Sequence, residues 1–258
     1  MTGSESQPSK SLKNELPMKR REIYSDLYCV PPVIVRVDGR NFRHVLSRMG
    51  FEKPYDMVFA SAMADAVELF FRHSGLSPVF AYTFSDEISL YFNELPFDGR
   101  IEKLDSVIAS FISSALTLLL KPGEPLSFDS RIIPVNENLI GEYLVWRQAE
   151  AWRNCINSHA YYTLLREGID EKGVSELLRS KKSGQMHELL FQRGINIAAV
   201  PSWQRRGIMV LREKYEVEGF NPYMQEETLA IRTRVKQDWE LPLFKSEDGS
   251  DLIDELLG

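Results

Sequence analysis

The run Val33-Ile34-Val35-Arg36-Val37-Asp38-Gly39 sets the architecture of this chain. Four of its first five residues are β-branched and an Asp-Gly pair ends it, the composition of a buried strand closed by a turn. Upstream, Pro31-Pro32 follows a stretch, 22–28, that reads as a short helix. Downstream, Pro54 opens a helix whose apolar face is Phe59, Met63, Ala66 and Phe70, and Gly75 closes it. Residues 79–84 read as a second strand, Ser85-Asp86-Glu87 as a tight turn and 88–92 as the returning strand. Leu104, Ile108, Phe111, Ala115 and Leu118 step by four and three and mark a second helix, broken by 122–125. Residues 128–135 make a fourth strand. The order is β-α-β-β-α-β, the ferredoxin-like form of the α+β class, with two helices on one face of an antiparallel sheet. The other face is left for a ligand, a nucleic acid or a second layer.

Four parts follow from this reading: a polar extension over 1–21, a compact unit over 22–136, a mainly helical part over 137–236 and an acidic tail over 237–258. In the third part, 138–166 is a long helical stretch, 174–179 and 185–191 are shorter helices with Gly194 as a stop, and 208–212 reads as a further strand.

Composition narrows the function. With 258 residues, 43% of them hydrophobic, the chain is not disordered. Its longest aliphatic run, 115–120, falls far short of the ~18 residues that a membrane span requires, so no membrane partner is expected. Cys29 and Cys155 stand far apart, which argues against a disulfide framework or zinc site and fits a reducing cytoplasm. His44, His73, His159 and His187 show no metal-ligand spacing.

The net charge of −6 seems to exclude nucleic acid. Its distribution reverses that. Residues 238–258 hold seven acids and one base, so they carry the whole −6, while 179–214 hold eight bases against two acids. A basic face can hold a phosphate backbone on an acidic chain; a solvated helical surface is the alternative.

In a ferredoxin-like order the first and third strands are antiparallel neighbours, so the end of one meets the start of the other. Asp38 and Asp86, 48 residues apart, then converge. Two adjacent carboxylates repel unless a cation lies between them, and oxygen ligands with open positions suit Mg²⁺. Each turn alone is also the composition of an ordinary solvated tip. Gly39-Arg40-Asn41-Phe42-Arg43 follows, a glycine-led turn whose backbone can approach phosphate, and Lys53 can reach a triphosphate or be a plain surface lysine.

At this point the chain resembles the tRNA(His) guanylyltransferase family, whose members add nucleotides to RNA in the 3′-to-5′ direction. The resemblance rests on Arg36 to Phe42, Phe51-Glu52-Lys53-Pro54, Ser85-Asp86-Glu87, Phe128-Asp129-Ser130-Arg131, Trp146-Arg147-Gln148-Ala149, Glu188-Leu189-Leu190-Phe191 and Arg205-Arg206-Gly207, in family order. It implies a polymerase-type palm in 22–136, followed by a helical part that binds tRNA and forms the homo-oligomer, a dimer or tetramer. It also implies two Mg²⁺ ions held by Asp38, the Gly39 carbonyl and Asp86, with Glu87 as a third catalytic carboxylate. Asp38, Gly39, Arg40, Asn41, Phe42, Arg43, Lys53, Ser85, Asp86, Lys103 and Ser106 are implied to bind nucleotide. Arg131, Arg193, Arg205 and Arg206 are the candidate tRNA contacts. The implied reaction activates a tRNA 5′ end with ATP and then adds a nucleotide, typically from GTP.

The chain departs from many eukaryotic members at three places. Trp152 stands for a histidine, Met186 for a lysine and Arg43 for a histidine. These departures favour the archaeal and bacterial-type Thg1-like subgroup, which repairs truncated tRNA 5′ ends against the opposite strand. A strict tRNA(His) guanylyltransferase is the alternative, with a nucleotide cyclase or a non-catalytic RNA-binding module further off. Trp146 and Trp152, on one long helix, are expected in the core.

Overall fold

The computed structural model describes residues 21–221 and 226–258, so the extension expected over 1–21 lies outside it except for Arg21. β1 (Val33–Gly39) lies inside a six-stranded antiparallel sheet. The sheet order is β4-β1-β3-β2-β5-β6, with β2 (Phe80–Phe84), β3 (Glu87–Phe92), β4 (Phe128–Pro134), β5 (Ile208–Asn221) and β6 (Glu226–Asp238). β1 and β3 are antiparallel neighbours as anticipated, with Asp38 opposite Glu87 and Val33 opposite Phe92.

Alternation along β1 sorts its side chains. Val33, Val35 and Val37 face α2 (Met57–His73) and α3 (Ile101–Leu120), packing with Met63, Phe70, Leu104 and Ile108. α3 is long and apolar enough to cross a membrane by composition. Here Leu104, Ile108, Ile112 and Leu116 are fully buried in the core, which accounts for that apolar face.

Ile34 faces the other way, where α4 (Glu137–Arg166) and α8 (Glu247–Leu257) lie. The second layer on this face therefore comes from the chain itself. α4 runs 30 residues without a break. The acidic tail folds as α8, N-capped by the Ser246 side chain, and brings Ile253 onto the sheet beside Leu144 and Phe244. Gln148 ties this segment down: its amide donates to the Pro242 carbonyl at 3.0 Å, and its oxygen accepts from the Phe244 N–H at 2.8 Å. Replacing Gln148 with Leu strands both backbone groups, and urea unfolding should show a loss of about 1–3 kcal/mol.

α5 (Glu171–Arg179), α6 (Ser183–Phe191) and α7 (Ser202–Arg206) pack along α4, with Cys155 and Ile156 against Met186 and Leu190. Two expectations need correction. Residues 137–236 are helical only as far as α7. β5 (Ile208–Asn221) and β6 (Glu226–Asp238) form a hairpin paired along its length, and the strand read at 208–212 is its beginning. Only Ile208–Leu211 pairs with β2, so most of the hairpin continues past the sheet as a two-stranded ribbon. Its period of two was masked by charge: exposed Arg212, Lys214, Glu216 and Glu218 alternate with half-buried Glu213, Tyr215 and Val217. The helix expected over 22–28 is instead a set of turns, because its backbone bonds elsewhere. The Leu27 carbonyl accepts from Ile101 N–H at 3.1 Å, and Cys29 N–H donates to Gly99 at 2.9 Å. A helix not anticipated, α1 (Phe42–Arg48), follows β1 directly and buries Phe42, Val45 and Leu46.

Candidate active site

The C-terminal end of β1 and the β2–β3 turn close on each other. Gly39 N–H donates to the Asp86 carbonyl at 2.9 Å, and Arg40 N–H donates to Ser127 at 2.9 Å on the opposite side. Gly39 is required by this approach: a Cβ there would lie 2.9 Å from Asp86 Cβ and 2.6 Å from the Phe42 ring. Asn41 takes a left-handed backbone (φ 63°) that turns the chain into α1, and Ser85 takes one (φ 52°) that makes the hairpin tight. Asp38 and Asp86 thus stand at one sheet edge. Burial, and after it the charge of Asp38, pushes the Asp86 carboxyl above its ordinary value, against a 2.9 Å hydrogen bond from Ser85 Oγ.

Among the described residues no group of three His, Cys, Asp or Glu side chains forms a metal cluster. Two carboxylates with an adjacent carbonyl still suit one class of ion. Mg²⁺ usually takes one or two carboxylates and fills its remaining positions with waters and substrate phosphates. The repulsion between Asp38 and the buried Asp86 fits a cation between them.

Glu87, expected beside the metals, is committed elsewhere. It is buried, and its two oxygens accept from Arg147 Nε at 2.9 Å and Nη2 at 2.6 Å. Lys53 lies on the loop before α2, whose carbonyl at Lys53 accepts from Arg166. Burial and then the nearby Arg43 lower the Lys53 ammonium below its usual value, opposed by Asp56 and Asp86. Arg43 donates to Tyr161 at 3.0 Å and also approaches Glu171. Lys103 and Ser106 lie at the start of α3; Ser106 Oγ bonds its own helix at Glu102, and no hydrogen bond or ion pair among the described residues links either to the acidic pair.

A cavity of about 280 Å³ adjoins the pair through Ser85. Phe59, Phe84 and Trp203 supply its apolar wall, and Lys53, Asp56 and Asn154 its polar rim. Sequence reading missed Asp56, which N-caps α2 by accepting from Val58 N–H at 2.8 Å. An Asp two residues past Pro54, before an apolar period, was the available signal.

The four candidate tRNA arginines separate. Arg193 is taken by Glu167 through two hydrogen bonds of 2.7 and 3.1 Å, and Arg131 pairs with Asp129 at 2.9 Å. Arg205 and Arg206 have no acidic partner among the described residues. They donate only to the backbone carbonyls of Val200 and Leu241, each at 2.8 Å. With Lys245 and Trp152 they line a second cavity of about 380 Å³. Burial first and Arg206 second lower Arg205 below the usual arginine value. Trp146, expected in the core, is 50% exposed.

Comparison with known proteins identifies the family. The family model described as tRNA(His) guanylyltransferase, Thg1, matches residues 16–136, and the Thg1 C terminal domain matches residues 138–245. A probable tRNA(His) guanylyltransferase of Drosophila melanogaster is 33% identical over 197 residues, covering 70% of this chain and 67% of that one. The chain spans only 37% of the length of tRNA(His) guanylyltransferase 1 of Arabidopsis thaliana, to which it is 27% identical over 210 residues, 77% of this chain. A bacterial tRNA(His) guanylyltransferase (Thg1)-like protein solved with GTP shares the fold at a TM-score of 0.70 and 24% identity, over 93% of this chain and 96% of that one. The form solved with ATP gives 0.73 at 23% identity, over 93% and 97%. The chain belongs to the tRNA(His) guanylyltransferase family, a family of nucleotidyltransferases.

Proposed function

We propose that this chain adds nucleotides to a tRNA 5′ end in the 3′-to-5′ direction, copying the opposite strand, in a reducing cytoplasm. The supporting observation is the closure of Asp38 and Asp86 across Gly39 beside a cavity fit for a nucleoside. The strand order β4-β1-β3-β2, with helices on one face, supports a ferredoxin-like palm. The GTP and ATP bound by the bacterial relatives support nucleoside triphosphates as substrates.

Asp38, Asp86 and the Gly39 carbonyl would hold Mg²⁺, which would supply Lewis-acid charge for the attacking oxygen and the leaving group of each step. The chain's own groups do the positioning. The segment 39–43 is pinned on both sides and presents backbone and Arg40 to a triphosphate. Lys53 adds a point charge from the loop that Arg166 holds, and Arg43 adds a guanidinium beside it. The cavity wall of Phe59, Phe84 and Trp203 receives the base. Glu87 fixes the hairpin through Arg147 and thereby aims Asp86. In the first step a 5′-phosphate oxygen attacks the α-phosphorus of ATP and pyrophosphate leaves. In the second the 3′-hydroxyl of an incoming nucleotide attacks the activated 5′ phosphorus and AMP leaves. Both are transfers in which positioning and charge supply most of the rate. A homo-oligomer of two or four chains, formed through the helical part, belongs to this proposal.

The relatives' names favour a second reading, a strict tRNA(His) guanylyltransferase adding one G at position −1. A 5′-truncated non-histidine tRNA with Mg²⁺, ATP and GTP separates the two. Templated extension is expected, and activity confined to tRNA(His) would select the second. Changing Arg205 and Arg206 together to Ala should weaken tRNA binding about 10- to 100-fold at moderate salt, leave GTP binding intact and flatten the log–log salt slope by about 1–2. Filter binding across a salt series reads all three.

A further inference from the structure

The sheet face that carries Asp38 also carries Arg36, two residues earlier on β1 and roughly 7 Å away. Above it stands Trp146 of α4. The Arg36 guanidinium carbon lies 5.6 Å from the indole centroid and that of Arg147 lies 4.4 Å from it. Tyr143 meets the ring edge-on at 5.7 Å. Three partners fix the indole, yet half of its surface faces solvent, while its neighbours Tyr143 and Arg147 are each only 7% exposed. A rigidly held, half-exposed tryptophan costs little further ordering when a flat ligand lands on it.

Charge narrows the ligand. Arg131 stands opposite Arg36 in register on the neighbouring strand. Of the acids on this face, Glu87 pairs with Arg147 and Asp129 with Arg131, while Asp38 is assigned to the metal in the proposed function, so Arg36 keeps no acidic partner among the described residues. Among the described residues Arg36 Nε and Nη1 are buried with no acceptor. The unsatisfied Arg36 donors beside the indole suit an aromatic ligand that carries acceptors, and the proposed function assigns the cavity beside Ser85 to the incoming nucleotide.

We propose that Trp146 is a stacking platform for the terminal base of the RNA 5′ strand, holding that end on the sheet face of Asp38. This rests on the tRNA-directed reading above. Stacking tolerates any base, which suits an enzyme that takes its sequence information from a template strand.

The test uses the full chain and an RNA duplex with 2-aminopurine as the 5′-terminal base. Binding to the wild-type chain should quench the fluorophore. Trp146→Leu should abolish the quench, raise the RNA Kd about 5- to 100-fold and leave GTP binding unchanged. Trp146→Phe should restore most of both. A fluorophore placed six base pairs inward, already stacked within the duplex, should show no further change on binding in any variant. If Trp146→Leu quenches, binds RNA and extends it like wild type, the platform is wrong while the enzymatic reading stands. Equal losses of GTP and RNA binding would also overturn it, since they indicate a structural role. A wild-type chain that neither binds nor extends RNA overturns the underlying reading and this one together.

Discussion

Asp86→Asn should abolish nucleotide addition while making the metal-free protein more stable. Loss of one anionic ligand from a site with only two carboxylates is expected to lower the rate at least about 10³-fold, since electrostatic stabilisation is commonly the largest catalytic contribution. The stability gain follows from linkage. Burial and Asp38 raise the Asp86 carboxyl above its ordinary 3.8. The folded state therefore holds that proton more tightly than the unfolded state. Stability is fully present below pH 3.8 and declines as pH rises through the raised value. At neutral pH the charged carboxylate is a net burden, and the neutral amide removes it. A melt in EDTA should show a higher midpoint for Asp86→Asn, by about 2–4 °C for each kcal/mol gained in a chain of this size. The same shift means that Mg²⁺ affinity should weaken on acidification before an ordinary aspartate would titrate. A variant that is inactive but melts lower in EDTA would point to a broken hairpin rather than a lost ligand.

Arg147→Met should be the most destabilising single change outside the hydrocarbon core. It leaves Glu87 buried without the two hydrogen bonds of 2.9 and 2.6 Å that it now accepts. Breaking a buried pair from one side costs about 3–5 kcal/mol, because the surviving charge keeps its desolvation penalty. The Glu87 carboxyl is already raised above its ordinary value by burial, with Arg147 and Arg36 opposing. Without Arg147 it rises further, so the variant should lose most stability toward neutral and alkaline pH and regain some on acidification. The double variant Glu87→Gln/Arg147→Met should recover much of the loss, and a double-mutant cycle by urea unfolding measures the coupling.

Much of the acidic site was legible before the structure. The β-branched run at 33–37 and the turn at 85–87 suffice to bring Asp38 to Asp86, because strand adjacency follows from the order of elements. What the sequence hid has specific causes. The charged residues from Arg212 onward hid the continuation of the strand read at 208–212. α4 touches the sheet, α8 and α5 to α7 at once, so its apolar residues do not form one stripe and the exposure of Trp146 could not be seen. Arg193 pairs with Glu167, 26 residues away, a contact that only the fold makes. Glu87 belongs to the acidic turn by sequence, and its engagement by Arg147 joins elements 60 residues apart.

The central claim is that Asp38 and Asp86 jointly hold divalent ions against a bound triphosphate. Mn²⁺ binding followed by electron paramagnetic resonance, with GTP present, tests it most directly on wild type, Asp38→Asn and Asp86→Asn. The account predicts GTP-dependent Mn²⁺ binding by the wild-type chain and its loss in each single variant, with the fold intact by circular dichroism. Undiminished Mn²⁺ stoichiometry and affinity in both variants would contradict it.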